Sequence, residues 1–434
     1  MNIMQAYKAA SEAKRAELVA PAVPVKTDSA SFSTGRKDVL DALRRVSAVI
    51  PSRSANGMLR LAKLSINGHV QLTASDGTAE LMIDVPDDPP SRTGDRTILV
   101  NPSRLTAILS KAKSREAIIG IDNVQSDDSE DSETRCKIRC GSAAFNLPTE
   151  SADEFPEFGE FDTVRSVILS ADDFRQLVTE TVPWTDVESV RYALGGVAME
   201  VKDSAVTFAA TDSRRLGFLT RHGIASGEFD ATQPPVIPAN VLQQAARACE
   251  SDNVTICFGV KIETGKSADG EPWRIETPVC EISSHGFRLR SPLVDGRFPR
   301  FRDVVPAMDQ FGHVVTFDRK QLIEAIETAT VCASDSFCGM DFSFTVPTSS
   351  YGGVCKMETS SDEGNATVEL AVDTPVNRKP LDGPIVLDPR FVLEYAKLVR
   401  TESVHMAMIA PEHCAMMFAD GHAQYIIMPL SRDR

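Results

Sequence analysis

Six stretches of the chain place apolar residues at the period of an amphipathic helix. Val39, Leu40, Leu43 and Val46 form the first, and Leu105, Ile108, Leu109 and Ala112 the second. Phe174, Leu177 and Val178 open the third, and Val241, Leu242, Ala245 and Ala246 make the fourth. Leu322, Ile323, Ile326 and Ala329 give the fifth, and Phe391, Val392, Tyr395 and Val399 the sixth. The six come in pairs. Between the members of each pair the alternation shortens toward the two-residue period of a strand. The stretches are VQLTASDGTAELMIDV at 70–85, VTFAATDSRRLGFLTR at 206–221 and KMETSSDEGNATVELAV at 356–372. Each centres on a Ser/Thr-Asp step, at Ser75-Asp76, Thr211-Asp212 or Ser361-Asp362. An Asp carboxylate there bonds its own backbone two residues on and reverses the chain.

A further strand pair follows each second helix. FNLPTESADEFPEF at 145–158 and FRLRSPLVDGRFPRF at 287–301 close the first two units, and AQYIIMPLSRDR closes the third. The unit is therefore helix, strands, helix, strands, repeated three times at a spacing of roughly 130 to 150 residues. Strands joined as hairpins make antiparallel sheets, so the predicted class is α+β, with two helices on one face of the sheets in each unit. The chain has 434 residues, which agrees with about three domains. The boundaries expected from the repeat are 32–164, 165–308 and 309–434. Residues 1–31 read as a flexible extension, because Pro21 and Pro24 break a helix-forming start. SDDSEDSE at 126–133 and ETGKSADGEP at 263–272 read as polar hairpin loops.

Hydrophobic residues make up 42% and charged residues 25%, and no run of 18 apolar residues suggests a membrane span. Nine scattered cysteines form no CxxC pair. The nearest two, Cys136 and Cys140, share one face of a strand and read as small buried hydrophobes rather than as metal ligands. Unpaired thiols and no secretory leader point to a cytoplasmic protein. There is no GxSxG, P-loop, HExxH or helix-opening GxGxxG, so catalysis, cofactor and metal sites are not expected. Net charge is −15, which argues against coating DNA with the whole surface. The charge is unevenly spread, however. The six helical segments (36–47, 101–113, 170–182, 238–249, 318–330 and 388–400) hold fourteen Lys/Arg against ten Asp/Glu, leaving −19 for the rest. The first pair is the most basic, with Arg36, Lys37, Arg44, Arg45, Arg104 and Lys111.

Four segments on this triplicated frame carry a resemblance: VRYALGG at 190–196, AATDSRRLG at 209–217, LVDGRFPRFRDVVP at 293–306 and YIIMPL at 425–430. Together and in this order they resemble the bacterial DNA sliding clamps, the beta subunits of DNA polymerase III, over about residues 32–432. The chain departs from that family at Ser213-Arg214, where Gly-His is usual, and at Asp303, where a basic residue is common. The resemblance implies a head-to-tail homodimeric ring of three-domain chains that encircles double-stranded DNA without reading sequence. A slider needs phosphate contacts and no base-edge contacts. DNA-facing residues are then expected at Arg53 and among Arg36, Lys37, Arg44, Arg45, Arg104 and Lys111. The implied partners are the DNA polymerase III alpha subunit, the clamp loader and other proteins carrying a clamp-binding motif. They insert a hydrophobic peptide into a cleft that maps here to Arg191, Leu194, Thr211, Arg215, Leu216, Pro299, Val304, Ile426, Ile427, Met428, Pro429 and Leu430. Arg191 and Arg215 are the expected donors to peptide carbonyls, and one of Ile426 and Ile427 is expected to face the core. Val331 and Cys332 fall where the family's dimer contact lies, with burial in the core as the alternative. Two rival functions remain: a diverged clamp paralogue with a restricted partner set, and a repeat scaffold that binds no DNA.

Overall fold

The structure is a computed structural model. It describes residues 29–125, 132–186, 188, 193–230, 232–249, 252–266, 272–332, 339–345, 352–362, 364–373, 381, 383–419 and 423–431. Among the described residues, six α-helices form where the periodicity predicts them. They are α1 (Arg36–Val46), α2 (Pro102–Lys111), α3 (Ala171–Thr181), α4 (Ala239–Ala248), α5 (Arg319–Ala329) and α6 (Pro389–Leu398). Four start at side-chain caps: Asn101, Ser170, Asp318 and Asp388 each accept a hydrogen bond from a first-turn N–H. Apolar faces bury Val39, Leu40 and Leu43 on α1, and Leu322 and Ile326 on α5.

The threefold repeat is visible in single hydrogen bonds. α1 packs on α2, α3 on α4 and α5 on α6. In each pair the first residue of the leading helix donates its N–H to a carbonyl just past the end of the following one. The bonds are Arg36 to Arg115, Ala171 to Asp252 and Arg319 to Glu402, each 2.8 Å. An arginine then bonds carbonyls in or just past the last turn of the second helix. Arg36 donates from Nη1 to Leu109 O and from Nε to Ser114 O, both at 2.9 Å. Arg319 donates to Ala396 O (3.3 Å) and Thr401 O (2.7 Å), and Arg175 to Cys249 O (3.0 Å).

Two compact units divide the chain, the first ending at Glu157 and the second beginning at Phe158. Among the described residues the strand pairs within each unit are antiparallel. In the first unit one sheet runs Ser29–Gly35, Glu116–Gln125, Ser132–Cys140, Ala143–Pro148 in spatial order. The other runs Arg96–Val100, Ala62–Asn67, His69–Ser75, Glu80–Asp84. The first strand begins at Ser29, earlier than the apolar pattern suggests, and already buries Ala30. Asp76 Oδ1 accepts from the N–H of Thr78 and Ala79, closing the expected Asp turn.

Among the described residues the strands of the second unit fall into three sets. One contains Ile224–Ser226, Asp162–Ser170, Asn253–Lys266, Pro272–Ser284 and Phe287–Pro292. A second contains Gly364–Val372, Gly353–Ser361, Met340–Thr345 and Ile385–Leu387. The largest has eight strands, and its middle joins the two halves of the unit: Arg215–His222 pairs with the last strand, Ala423–Ile427, placing Arg215 opposite Ile427 and Leu216 opposite Ile426. Among the described residues no helix is long and apolar enough to cross a membrane, and no group of three His, Cys, Asp or Glu side chains can hold a metal. Cys136 and Cys140 are both buried in the first sheet, and burial pushes the Cys136 thiol up to about 12.

Candidate functional site

Part of the expected cleft set, Thr211, Arg215, Leu216, Ile426, Ile427 and Met428, gathers in the second unit around the turn at 211–215, while Pro299 lines a separate cavity with Val201, Lys202 and Thr220. Asp212 Oδ1 accepts from the N–H of Arg214 (2.9 Å) and Arg215 (3.0 Å). Thr211 Oγ1 accepts from Ser213 N (3.1 Å) and donates to Arg215 O (2.6 Å). These bonds hold Ser213 at φ 72°, a left-handed conformation that strains a residue with a Cβ by about 1 kcal/mol. The turn in turn fixes the end of the chain. Arg214 O accepts from Met428 N at 2.9 Å, and Leu430 N donates to Val386 O at 2.8 Å.

Beneath the turn lies an apolar floor. Leu216, Phe218, Phe298, Phe301, Met416 and Ile426 form one buried cluster, with Val305 and Val294 packed against it. Ile426 and Ile427 are both buried, at 3% and 0% exposure. This corrects the expectation that one would face the core and the other the cleft: the last strand is interior to its sheet and covered on both faces. Leu194 and Thr211 are buried as well. The apolar groups that reach solvent are Val304 (65% exposed), Met428 (53%) and Pro299, with Pro429 and Leu430 half-buried. Arg191 lies outside the described residues.

Arg215 is expected to offer donors outward, yet most of its guanidinium is engaged inside the protein. Nε donates to Asp212 Oδ2 (2.9 Å), Nη1 to Glu394 Oε2 and to the Tyr425 hydroxyl (3.2 Å), and Nη2 to Pro183 O (3.1 Å). Its Cζ lies over the Phe391 ring, 4.4 Å from the centroid. Burial alone would pull Arg215 down, but Tyr425 and Glu394 outweigh it and hold the guanidinium above its usual value. Burial likewise pushes the Tyr425 phenol up, against the opposing charge of Arg215. Tyr425 sits between Trp184 (centroids 4.8 Å) and Tyr395 (5.2 Å, planes 4° apart). Gly217 makes room for that stack, since a Cβ there would lie 1.8 Å from a Trp184 ring carbon.

A cavity of about 550 Å³ opens beside this network, lined by Thr185, Asp186, Asp212, Ser213, Arg214, Arg390, Phe391 and Glu394. The contribution of α6 is not legible in the sequence. Phe391 reads there as one more apolar helix position, and nothing in the spacing of Glu394 announces that it meets Arg215. The Ser213-Arg214 departure falls on the lip of this cavity.

The candidate DNA-facing cations split into two groups. Lys37, Arg104 and Lys111 project from exposed faces of α1 and α2, and Arg53 from the loop after α1. Arg44 is exposed and pairs with Asp41 at 3.0 Å. Arg45 is half-buried. Arg36 stands apart, because the C-terminal end of α2 takes two of its donors. Arg115, also exposed, lies just past α2, outside the helical segment whose charge the sequence pattern marks. On α5 the exposed positions include Glu324 and Glu327.

Val331 is 80% exposed, so burial in the core does not explain it. It lies in the 3-10 turn Thr330–Cys332 after α5, beside the edge strand Gly364–Val372. A Cβ on Gly364 would sit 3.9 Å from Cys332 Sγ.

The model of the DNA polymerase III beta subunit N-terminal domain matches residues 30–159, and that of its central domain matches residues 168–300. The beta sliding clamp of Pseudomonas aeruginosa is 24% identical over 406 residues, covering 92% of this chain and 99% of the relative. That of Salmonella typhimurium is 26% identical over 408 residues, with the same coverage. Among solved structures, the Thermotoga maritima DNA polymerase III beta subunit superposes with a TM-score of 0.75 at 17% identity, covering 93% of this chain and 99% of that one. A Pseudomonas aeruginosa sliding clamp bound to griselimycin gives 0.77 at 22% identity, with the same coverage. With two successive domains of one subunit matched over residues 30–159 and 168–300, and the whole fold shared, the chain belongs to the DNA polymerase III beta-subunit family, the bacterial sliding clamps.

Proposed function

We propose that this protein is a DNA sliding clamp: a non-catalytic processivity factor that closes around duplex DNA as a head-to-tail dimer and tethers the replicative polymerase. The carrying observation is the helix pair built three times by the same N–H to carbonyl bond on antiparallel sheets. This supports three clamp domains, at 32–164, 165–308 and 309–434. Among the described residues, Ala143–Pro148 and Gly364–Val372 are each the last strand of a sheet. An unpaired edge is a template for another chain, and two different edges in one chain suit a heterologous contact that closes into a ring. Phe145 on the first edge and Val331 beside the second offer exposed apolar surface, and Cys332 adjoins it. Each is assigned to the dimer contact.

Lys37, Arg44, Arg53, Arg104 and Lys111 are assigned to DNA phosphates, with Arg45 in support, and Arg36 to holding the helix pair. Val304, Met428 and Pro299 are assigned to the face of the peptide cleft, and Leu194, Leu216, Ile426 and Ile427 to its buried backing. Thr211, Arg215, Pro429 and Leu430 shape its rim. The DNA polymerase III alpha subunit and the clamp loader, both cytoplasmic, are its partners in this reading. Primer extension on a long single-stranded template, with loader and polymerase present, tests it. Adding this protein should lengthen the products of a single binding event, whereas unchanged lengths would favour a scaffold without a replicative role.

A further inference from the structure

We infer that Glu394, on α6, is a positioning residue for the peptide cleft, acting through Arg215 on the turn that holds the chain's last residues. The inference rests on reading this surface as a peptide cleft. A continuous series of directional bonds carries it. Glu394 Oε2 accepts from Arg215 Nη1. Arg215 Nε donates to Asp212 Oδ2, and the other oxygen of Asp212 accepts from the N–H of Arg214 and Arg215. Arg214 O then accepts from Met428 N. Met428 is one of the apolar groups that the cleft presents to solvent.

Each link has fixed geometry. The guanidinium is a rigid planar fork, so its orientation follows from where its acceptors stand. Glu394 contributes the charged acceptor from outside the turn, on α6, while Asp212 belongs to the turn itself. Arg215 is further confined by the Phe391 ring on one face and the Tyr425 hydroxyl at its edge. The side chain is 10% exposed, so water competes little for these bonds. A turn held this way meets its ligand already formed, and less ordering is left for the moment of binding. Without Glu394 the fork keeps Asp212, Pro183 O and the Phe391 face and loses its one charged, directional bond to α6. The turn with strained Ser213, and with it Met428, then samples more positions. The bound peptide is held by a looser wall, and the loss falls on its dissociation rate.

The test measures dissociation of a fluorescein-labelled C-terminal peptide of the DNA polymerase III alpha subunit by stopped flow, on the full-length protein. The chain has two tryptophans. In a Trp273→Phe background Trp184, whose ring packs against Tyr425, reports the state of the network directly. Glu394→Gln should speed dissociation about tenfold and shift the Trp184 emission, the size expected for one charge-assisted hydrogen bond. In an Arg215→Lys background, which keeps charge but not the fork, the same substitution should change the rate by less than about twofold. A Glu394 that merely stabilises α6 would give equal factors in both backgrounds, and that result overturns the inference. So does a Glu394→Gln rate equal to the parent's while the parent binds. A parent protein that fails to bind the peptide removes the cleft reading itself, and the inference with it. Should Glu394→Gln not fold, Tyr425→Phe removes one acceptor of Nη1 with little change of volume. Its smaller acceleration, about threefold, should also vanish in the Arg215→Lys background, and persistence there overturns the inference.

Discussion

The two surfaces assigned to binding are built on opposite principles. The cleft wall of the second unit is a set of groups that each hold several partners: Arg215 touches Asp212, Glu394, Tyr425, Pro183 and Phe391 at once. The basic faces of α1 and α2 in the first unit are exposed side chains spaced along two helices. A pocket that recognises a particular peptide needs groups in fixed positions, and fixed positions need buried, mutually satisfied bonds. A surface that must let a phosphate backbone slide past needs charge without fixed geometry. Stability and binding should therefore be tightly entangled in the first surface and nearly separate in the second.

Gly217→Ala should produce the largest effect, because the new Cβ would lie 1.8 Å from a Trp184 ring carbon. Overpacking of that kind costs about 3 kcal/mol, visible as a lower urea midpoint, with weakened peptide binding alongside. Gly57→Ala is the control in the first unit, where a Cβ meets nothing within 4 Å; its midpoint should hold to within about 0.5 kcal/mol. Next come Arg36→Ala and Arg319→Ala. Both remove two hydrogen bonds to carbonyls at the end of the partner helix, and each should cost about 2 kcal/mol. Similar losses would show that Arg36 belongs to the frame; a normal melt with lost DNA affinity would return it to the DNA-facing set.

A smaller effect on stability, and a clear one on DNA, is expected from Lys37→Ala, Arg104→Ala and Lys111→Ala together. The slope of log affinity against log salt should shrink by about 3, and the melting free energy should move by less than about 0.5 kcal/mol. A change in peptide binding would break the proposed separation. The smallest effect is chemical. Burial pushes the thiols of Cys136, Cys280 and Cys355 from 9.0 up to about 12. A raised folded value means the folded state keeps its proton while the unfolded chain ionises. The contribution is therefore full below pH 9 and lost as pH rises from 9 toward 12. Urea midpoints should fall over that window, and iodoacetamide at pH 8 should leave all three thiols unmodified until the protein unfolds.

The helices were legible because each buries one stripe, and the stripe sets its own period: Val39, Leu40 and Leu43, or Leu322 and Ile326, are both the signal and the core. The Asp turns were legible for the same local reason, at Asp76 and Asp212. What sequence order could not reveal was side-chain commitment. Arg36 and Lys37 are adjacent and equally basic on paper; one reaches back to carbonyls at 109 and 114, and the other stays in solvent. Glu394 and Arg215 meet across 179 residues. Ile426 and Ile427 follow strand alternation, yet both are buried because the strand has neighbours on its two edges and cover on its two faces.

One measurement tests the central claim most directly. The protein is loaded by a clamp loader onto nicked circular DNA, freed from loader and excess salt-labile protein, and counted before and after the circle is cut once. A closed sliding ring stays on the circle at high salt and leaves through the ends once the DNA is linear. Equal retention on both forms, lost in step with rising salt, would mean surface attraction alone and would contradict the account.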